Sequence, residues 1–242
     1  MLTADQVSFR GHHAPILTPT SLQAAPGEVT VVVGSTQEAR TALALILTDR
    51  LRPSAGTVKV EGSPRLRARS SLVDAPEISE PGPEMRVIDL ATEEFALSPT
   101  SPPWGLRRRA RAWLEENGFA DIAGDYLEQL AGPDLVSLQA RLALVNGNVD
   151  VVVVDAPDRR AGEGAWLEPL EELAAEHPGL VVVAVVTEAP EGFAGRVCEI
   201  GTGRPAEADD GGTADADAEH RDDERRDTED RDTEAKETED NA

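Results

Sequence analysis

The sequence predicts an α/β fold: a mostly parallel sheet core with antiparallel N-terminal strands, an inserted helical subdomain and a disordered acidic C-terminal tail. Three observations predict it. The Val-rich runs at Val29–Val33, Val151–Asp155 and Val181–Val186 are apolar almost throughout and bounded by turn residues, as strands buried on both faces are. Helical periodicity fills intervals between such runs, the alternation that builds a parallel sheet. From Glu207 onward no apolar side chain larger than alanine occurs, so nothing there offsets the entropy of ordering the chain.

The elements follow in order. LTADQVSF and PILTPTSLQAA alternate like strands, and Pro26-Gly27-Glu28 is a turn into the buried strand VTVVVG, so an antiparallel edge is expected to feed a central strand. Arg40 and Thr41 open the helical run TALALIL, RLRPSAG breaks it, and TVKVEG alternates as another strand. Residues 64–82, rich in Pro, Ser and Arg, read as a loop with a weak strand around SSLVDA. Four helical patterns then cluster without intervening strands: VIDLATEEFAL, LRRRARAWLEENGF, DYLEQLAG and LVSLQARLALV. Such a block within an α/β core reads as a subdomain, residues 83–148. The core resumes with the strand DVVVVD, a helix around GAWLEPLEELAAEH, the strand LVVVAVVT and the closing segment FAGRVCEIGTGR. Residues 1–205 form the folded domain in this reading and 206–242 the tail.

Composition excludes several function classes. The chain of 242 residues carries a net charge of −23, and residues Glu207–Ala242 supply 17 acidic against 5 basic side chains, about half of that total. A chain this acidic is a poor ligand for nucleic acid, which needs a basic surface; the cluster Arg107, Arg108, Arg109 and Arg111 reads as a solvated helix face or a contact for a partner or anionic lipid. A lone Cys198 rules out a disulfide framework and suits a reducing cytoplasm. Nothing approaches the ~20 apolar residues of a membrane span, and no signal-like segment begins the chain, so any membrane role is expected to be peripheral. Trp104, Trp113 and Trp166 read as packing residues or membrane-adjacent anchors.

The chemistry concentrates at the carboxyl ends of the buried strands, where Gly34 and Asp155 sit and where doubly wound sheets bind ligands. Strand, loop and helix from Val29 to Thr41 supply the context of a phosphate-binding loop, yet the glycines and lysine such a loop uses are replaced. Taken with the order of the other segments, residues 1–205 resemble the ATP-binding cassette (ABC) transporter ATPase family, with a P-loop NTPase-like nucleotide-binding domain. The family loop resembles G-x-x-G-x-G-K-[ST]; Gly34 and Thr41 match, Gln37 and Ala39 stand at glycine positions, and Arg40 stands at the lysine. Each lost glycine risks about 1–2 kcal/mol of strain. Arg for Lys changes the shape of the cation, and Glu38 opposes an anion at the helix start.

The resemblance implies ATP with Mg²⁺ as cofactor, weakly bound or absent here, with Thr41 and Asp155 as the metal-side residues and Gly34, Arg40 and Thr41 on the nucleotide. His12 or His13 would stack on adenine. Ala156 stands where the family carries the catalytic glutamate, and a missing general base costs about 10²–10⁴-fold in rate. The family signature L-S-G-G-Q corresponds to Leu130, Ala131, Gly132, Pro133 and Asp134, of which only Leu130 and Gly132 match. Thr187 replaces the switch histidine, and the coupling glutamine is absent near Val73 to Pro76. The implied partners are an integral membrane transporter subunit and a homo- or heterodimer of cassettes, no nucleic acid, and a cytoplasmic location peripheral to the inner face of the membrane. The expected function is a degenerate cassette subunit that hydrolyses ATP poorly or not at all. Two alternatives stand beside it: an active transporter ATPase that tolerates Arg40 and uses Asp158 or Glu188 as base, and a scaffold protein acting through its acidic tail.

Overall fold

Two sheets divide the strands by direction. The computed structural model describes residues 1–62 and 65–202; the predicted acidic tail lies outside the described residues. Strands β1 (Leu2–Arg10), β2 (Pro15–Ala24) and β4 (Ala55–Val60) form an antiparallel sheet in the order β2-β1-β4. Strands β3 (Val29–Val33), β5 (Ser70–Val73), β6 (Val151–Asp155), β7 (Val181–Val186) and β8 (Arg196–Glu199) form an all-parallel sheet in the order β5-β6-β7-β3-β8. The N-terminal strands are therefore a sheet of their own rather than an edge of the central one. Their alternation, with one face of each strand polar, suits a sheet covered on one side only.

Period-two alternation splits the parallel sheet between two cores. Val32, Val151, Val153, Val181, Val183 and Val185 face helix α1 (Gln37–Leu47) and the antiparallel sheet, where Leu2, Val7, Leu17 and Leu22 are buried. Val31, Val152, Val154, Val182, Ala184 and Val186 face helices α4 (Gly132–Leu142) and α5 (Leu167–Glu176), together with the buried Trp166. Fully covering both faces is what allows the runs to be Val throughout. A third cluster joins α2 (Val87–Leu97), α3 (Leu106–Glu116) and the other side of α4 through Val87, Leu90, Leu114, Leu127, Leu135 and Leu138. Helix α4 thus belongs to two cores and ties the helical block to the sheet.

Two helical expectations are corrected. Residues 125–132 contribute only a 3-10 turn, Leu127–Gln129, because Leu130 and Ala131 are extended and Pro133 starts a new helix instead of ending one. Helix α1 begins at Gln37, capped by the Thr36 hydroxyl accepting from the Ala39 amide at 3.3 Å, three residues before the predicted opening at Arg40. That shift removes half of the loop on which the nucleotide reading rests.

Candidate functional site

The carboxyl ends of β3 and β6 bring Gly34, Arg40, Thr41 and Asp155 together, as the sequence predicts. How they meet is different. With α1 starting at Gln37, the connection from β3 is only Gly34, Ser35 and Thr36, and the Arg40 amide donates to the Thr36 carbonyl at 3.1 Å as an ordinary helical bond. Of the amides in this segment, those of Ala39 and Arg40 are engaged, by the Thr36 hydroxyl and the Thr36 carbonyl.

Arg40 turns back into that short connection. Its Nη1 donates to the Gly34 carbonyl at 2.6 Å and its Nη2 to Gln37 Oε1 at 2.7 Å, while the side chain is only 7% exposed. Arg40 Nε is buried without a hydrogen-bond partner. A Cβ on Gly34 would lie 2.6 Å from Ile200 Cδ1 and 3.0 Å from Arg40 Cγ, so both side chains pack closely on this glycine. Gln37, read as a lost glycine, is a bridge: its Nε2 donates to Thr41 Oγ1 at 2.8 Å and to Asp155 Oδ1 at 3.3 Å.

Asp155 is wholly buried and accepts the Thr41 hydroxyl on Oδ2 at 2.6 Å. Burial pushes its pKa up from the ordinary carboxylate value, and the Thr41 and Gln37 hydrogen bonds and the charge of Arg40 oppose that rise. A hydroxyl beside a carboxylate suits a hard cation chemically. The Arg40 guanidinium lies within the loop, and the exposed Glu38 adds negative charge at the helix start.

Ala156 is 2% exposed, holds the left-handed conformation with φ 54°, and donates its amide to the Val185 carbonyl at 2.8 Å. Asp158 and Thr187 meet, the Thr187 amide donating to Asp158 Oδ2 at 2.9 Å, and Asp158 Oδ1 is buried without a partner. Glu188 is exposed beside them. Leu130 and Ala131 precede α4, while Gly132, Pro133 and Asp134 form its first turn. Pro133 costs that helix no bond, since a first-turn amide has no helical acceptor. Gly132 is packed against the segment after β6: a Cβ there would lie 2.1 Å from the Arg160 carbonyl oxygen. His12 and His13 are exposed in the turn between β1 and β2 and take part in none of the hydrogen bonds that join Gly34, Arg40, Thr41 and Asp155.

Sequence reasoning missed an ionic cluster beside this site. Asp74, at the end of β5 with φ 55° and only 3% exposed, accepts a bidentate pair from Arg160, Nε to Oδ2 at 2.8 Å and Nη2 to Oδ1 at 3.0 Å. Arg159 Nη2 reaches Asp74 Oδ2 at 3.3 Å, and Gln139 of α4 donates to Asp74 Oδ1 at 3.1 Å. Both arginines also pair with Glu80, at 2.6 Å and 2.8 Å. Burial presses the Glu80 pKa upward, but the Arg159 hydrogen bond and the two guanidinium charges outweigh it and the net shift is down. A signal was present: Val73-Asp74-Ala75-Pro76 repeats as Val154-Asp155-Ala156-Pro157, and the two copies lie on adjacent strands with Val73 paired to Val154.

No protein-family model matches the chain. Over 203 residues it is 32% identical to the macrolide export ATP-binding/permease protein MacB 1/2 of Paracoccus denitrificans (strain Pd 1222), covering 78% of this chain and 30% of that protein. Over 143 residues it is 29% identical to the ribose import ATP-binding protein RbsA of Roseobacter denitrificans, covering 54% of this chain and 27% of that one. The chain therefore spans less than a third of the length of these curated relatives. Among solved structures, a putative ABC transporter ATP-binding protein from Pyrococcus furiosus superposes with a TM-score of 0.61 at 17% identity, over 82% of this chain and 96% of that one. Kinship along most of the sequence and a shared cassette architecture agree with the order of the motifs: the chain belongs to the ATP-binding cassette (ABC) ATPase family.

Proposed function

We propose that this chain is a cassette subunit of a transporter or another membrane-associated complex, with degenerate nucleotide sites that bind ATP weakly and hydrolyse it poorly or not at all. The observation that carries the reading is Arg40, whose guanidinium fills the loop by bonding Gly34 and Gln37. Ala156 supports it from the other side, since a methyl group moves no proton. The relatives are by name an export ATP-binding/permease protein and an import ATP-binding protein. A membrane permease as partner, a second cassette as dimer mate and a place at the inner face of the membrane follow from that kinship in this reading. Their cargoes differ, so none is carried over.

The test is calorimetric titration of the purified protein with ATP and Mg²⁺, beside steady-state phosphate release. The reading expects a Kd no tighter than about 1 mM and phosphate release at the buffer blank. Release well above the blank, and lost in Asp155→Asn, overturns it.

One observation favours the active alternative. Asp158 Oδ1 is buried with no partner, a carboxylate oxygen free to take a proton. That alternative requires turnover in the native protein that Asp158→Asn abolishes.

A further inference from the structure

Leu97 at the end of α2 and Trp104 in the connector to α3 are the two most exposed large apolar side chains among the described residues, at 69% and 71%. The other tryptophans pack, Trp166 in the core and Trp113 stacked on Phe119 with ring centroids 6.1 Å apart, so Trp104 departs from the packing expectation. Its position is held rather than loose. Arg109 Nη1 donates to the Trp104 carbonyl at 2.8 Å, Nη2 reaches the Pro102 carbonyl, and the guanidinium lies 5.9 Å from the Phe95 ring centroid.

Along the chain from Leu97 to Leu114 the charge is one-signed, with Glu93, Glu94, Glu115 and Glu116 just beyond its two ends. Residues 97–114 carry four arginines and no carboxylate, in a chain of net charge −23. Arg107 pairs with Asp89 across an exposed surface, whereas Arg108 and Arg111 make no hydrogen bond or ion pair among the described residues. Three positions apart on α3, they share one exposed side. Gly105 caps α3 with φ 67° and no side-chain bond, and no acid occupies its first turn, so the helix dipole adds to the positive field.

We propose that this connector and the first turns of α3 form a docking patch for anionic lipid headgroups, with Trp104 and Leu97 entering the interface and Arg107, Arg108 and Arg111 meeting phosphate. Tryptophan settles at headgroup level because its ring is apolar and its N–H polar, and cations beside it are drawn to an anionic surface. The proposal deepens the membrane-associated reading above by naming the contact surface, and it involves neither ATP nor a permease.

The experiment uses the full chain and protein-free vesicles. Flotation with mixed phosphatidylcholine–phosphatidylserine vesicles is expected to carry the protein, pure phosphatidylcholine is not, and added salt is expected to release it. Tryptophan emission is expected to shift blue on binding, and the shift to vanish in Trp104→Phe. Arg108→Gln with Arg111→Gln is expected to weaken binding about tenfold or more, with an unchanged thermal melt because neither side chain has a folded-state partner. No binding to anionic vesicles, or binding undiminished in that double variant, overturns the proposal and assigns the patch to a protein partner. Phosphate release, read separately, is unaffected by either result.

Discussion

Thr41 donates its hydroxyl to Asp155 across 2.6 Å, joining the first helix to the end of a strand 114 residues later. Gln37 completes the set by donating to both. The pair lies beside the carboxyl end of β6, where metal-side chemistry is expected from the resemblance.

Asp155 supplies the first prediction. Burial raises its pKa above that of the unfolded chain, so the folded protein holds this proton more tightly than the unfolded one. The stabilising contribution is complete below the unfolded carboxylate value and is lost as pH rises through the folded one. At pH 7 the buried charge is therefore a cost. Asp155→Asn keeps an acceptor and a donor for Thr41 and is expected to stabilise by about 1 kcal/mol at that pH, about 2–4 °C for a domain of this size. Thermal melts across pH check it, and the gap is expected to close on acidification.

Ala156 yields a restoration test. Placing glutamate there replaces the missing general base in name, but the position is left-handed and 2% exposed. The new carboxylate would be buried without a partner on a strained backbone. Ala156→Glu is expected to lose about 2–4 kcal/mol in urea denaturation and to gain no phosphate release. Recovered turnover would mean that the Arg40-filled loop is no obstacle.

Asp74 is the third. Removing Asp74 leaves the part-exposed Arg159 and Arg160 with Glu80 as their remaining carboxylate and Gln139 without its acceptor, so Asp74→Ala is expected to cost about 2–3 kcal/mol. The joint variant Asp74→Leu with Arg160→Met removes both charges and is expected to cost less than the single one. Denaturant midpoints of Asp74→Leu, Arg160→Met and the joint variant measure this coupling directly. A cost confined to a few tenths of a kcal/mol would show the cluster to be an ordinary surface network.

Much of the fold was legible because its signals are local. Val-rich runs announce strands β3, β6 and β7, and the turn Pro26-Gly27 marks the entry to β3. Where signals competed, the reading slipped: the pattern at residues 125–132 has apolar spacing that suits a helix, yet Leu130 and Ala131 stay extended before Pro133. The start of α1 at Gln37 is set by Thr36, a good N-cap three residues before Ala39, a local signal that competes with the loop pattern running on to Arg40. Asp74 was passed over because a single acid after a weak strand carries no meaning until Arg159, Arg160 and Gln139 are known to surround it.

The sequence by itself determined the layering, the order of the motifs and which chemical groups are missing, since periodicity sets buried faces and an alanine lacks a carboxylate in any fold. Only the tertiary structure decided where the surviving polar groups point. Arg40 turns to Gly34, Thr41 to Asp155, and Asp74 to two arginines more than eighty residues away. The first is a contact six residues apart, but the other two depend on which distant segment supplies a polar partner, and no local pattern contains that information.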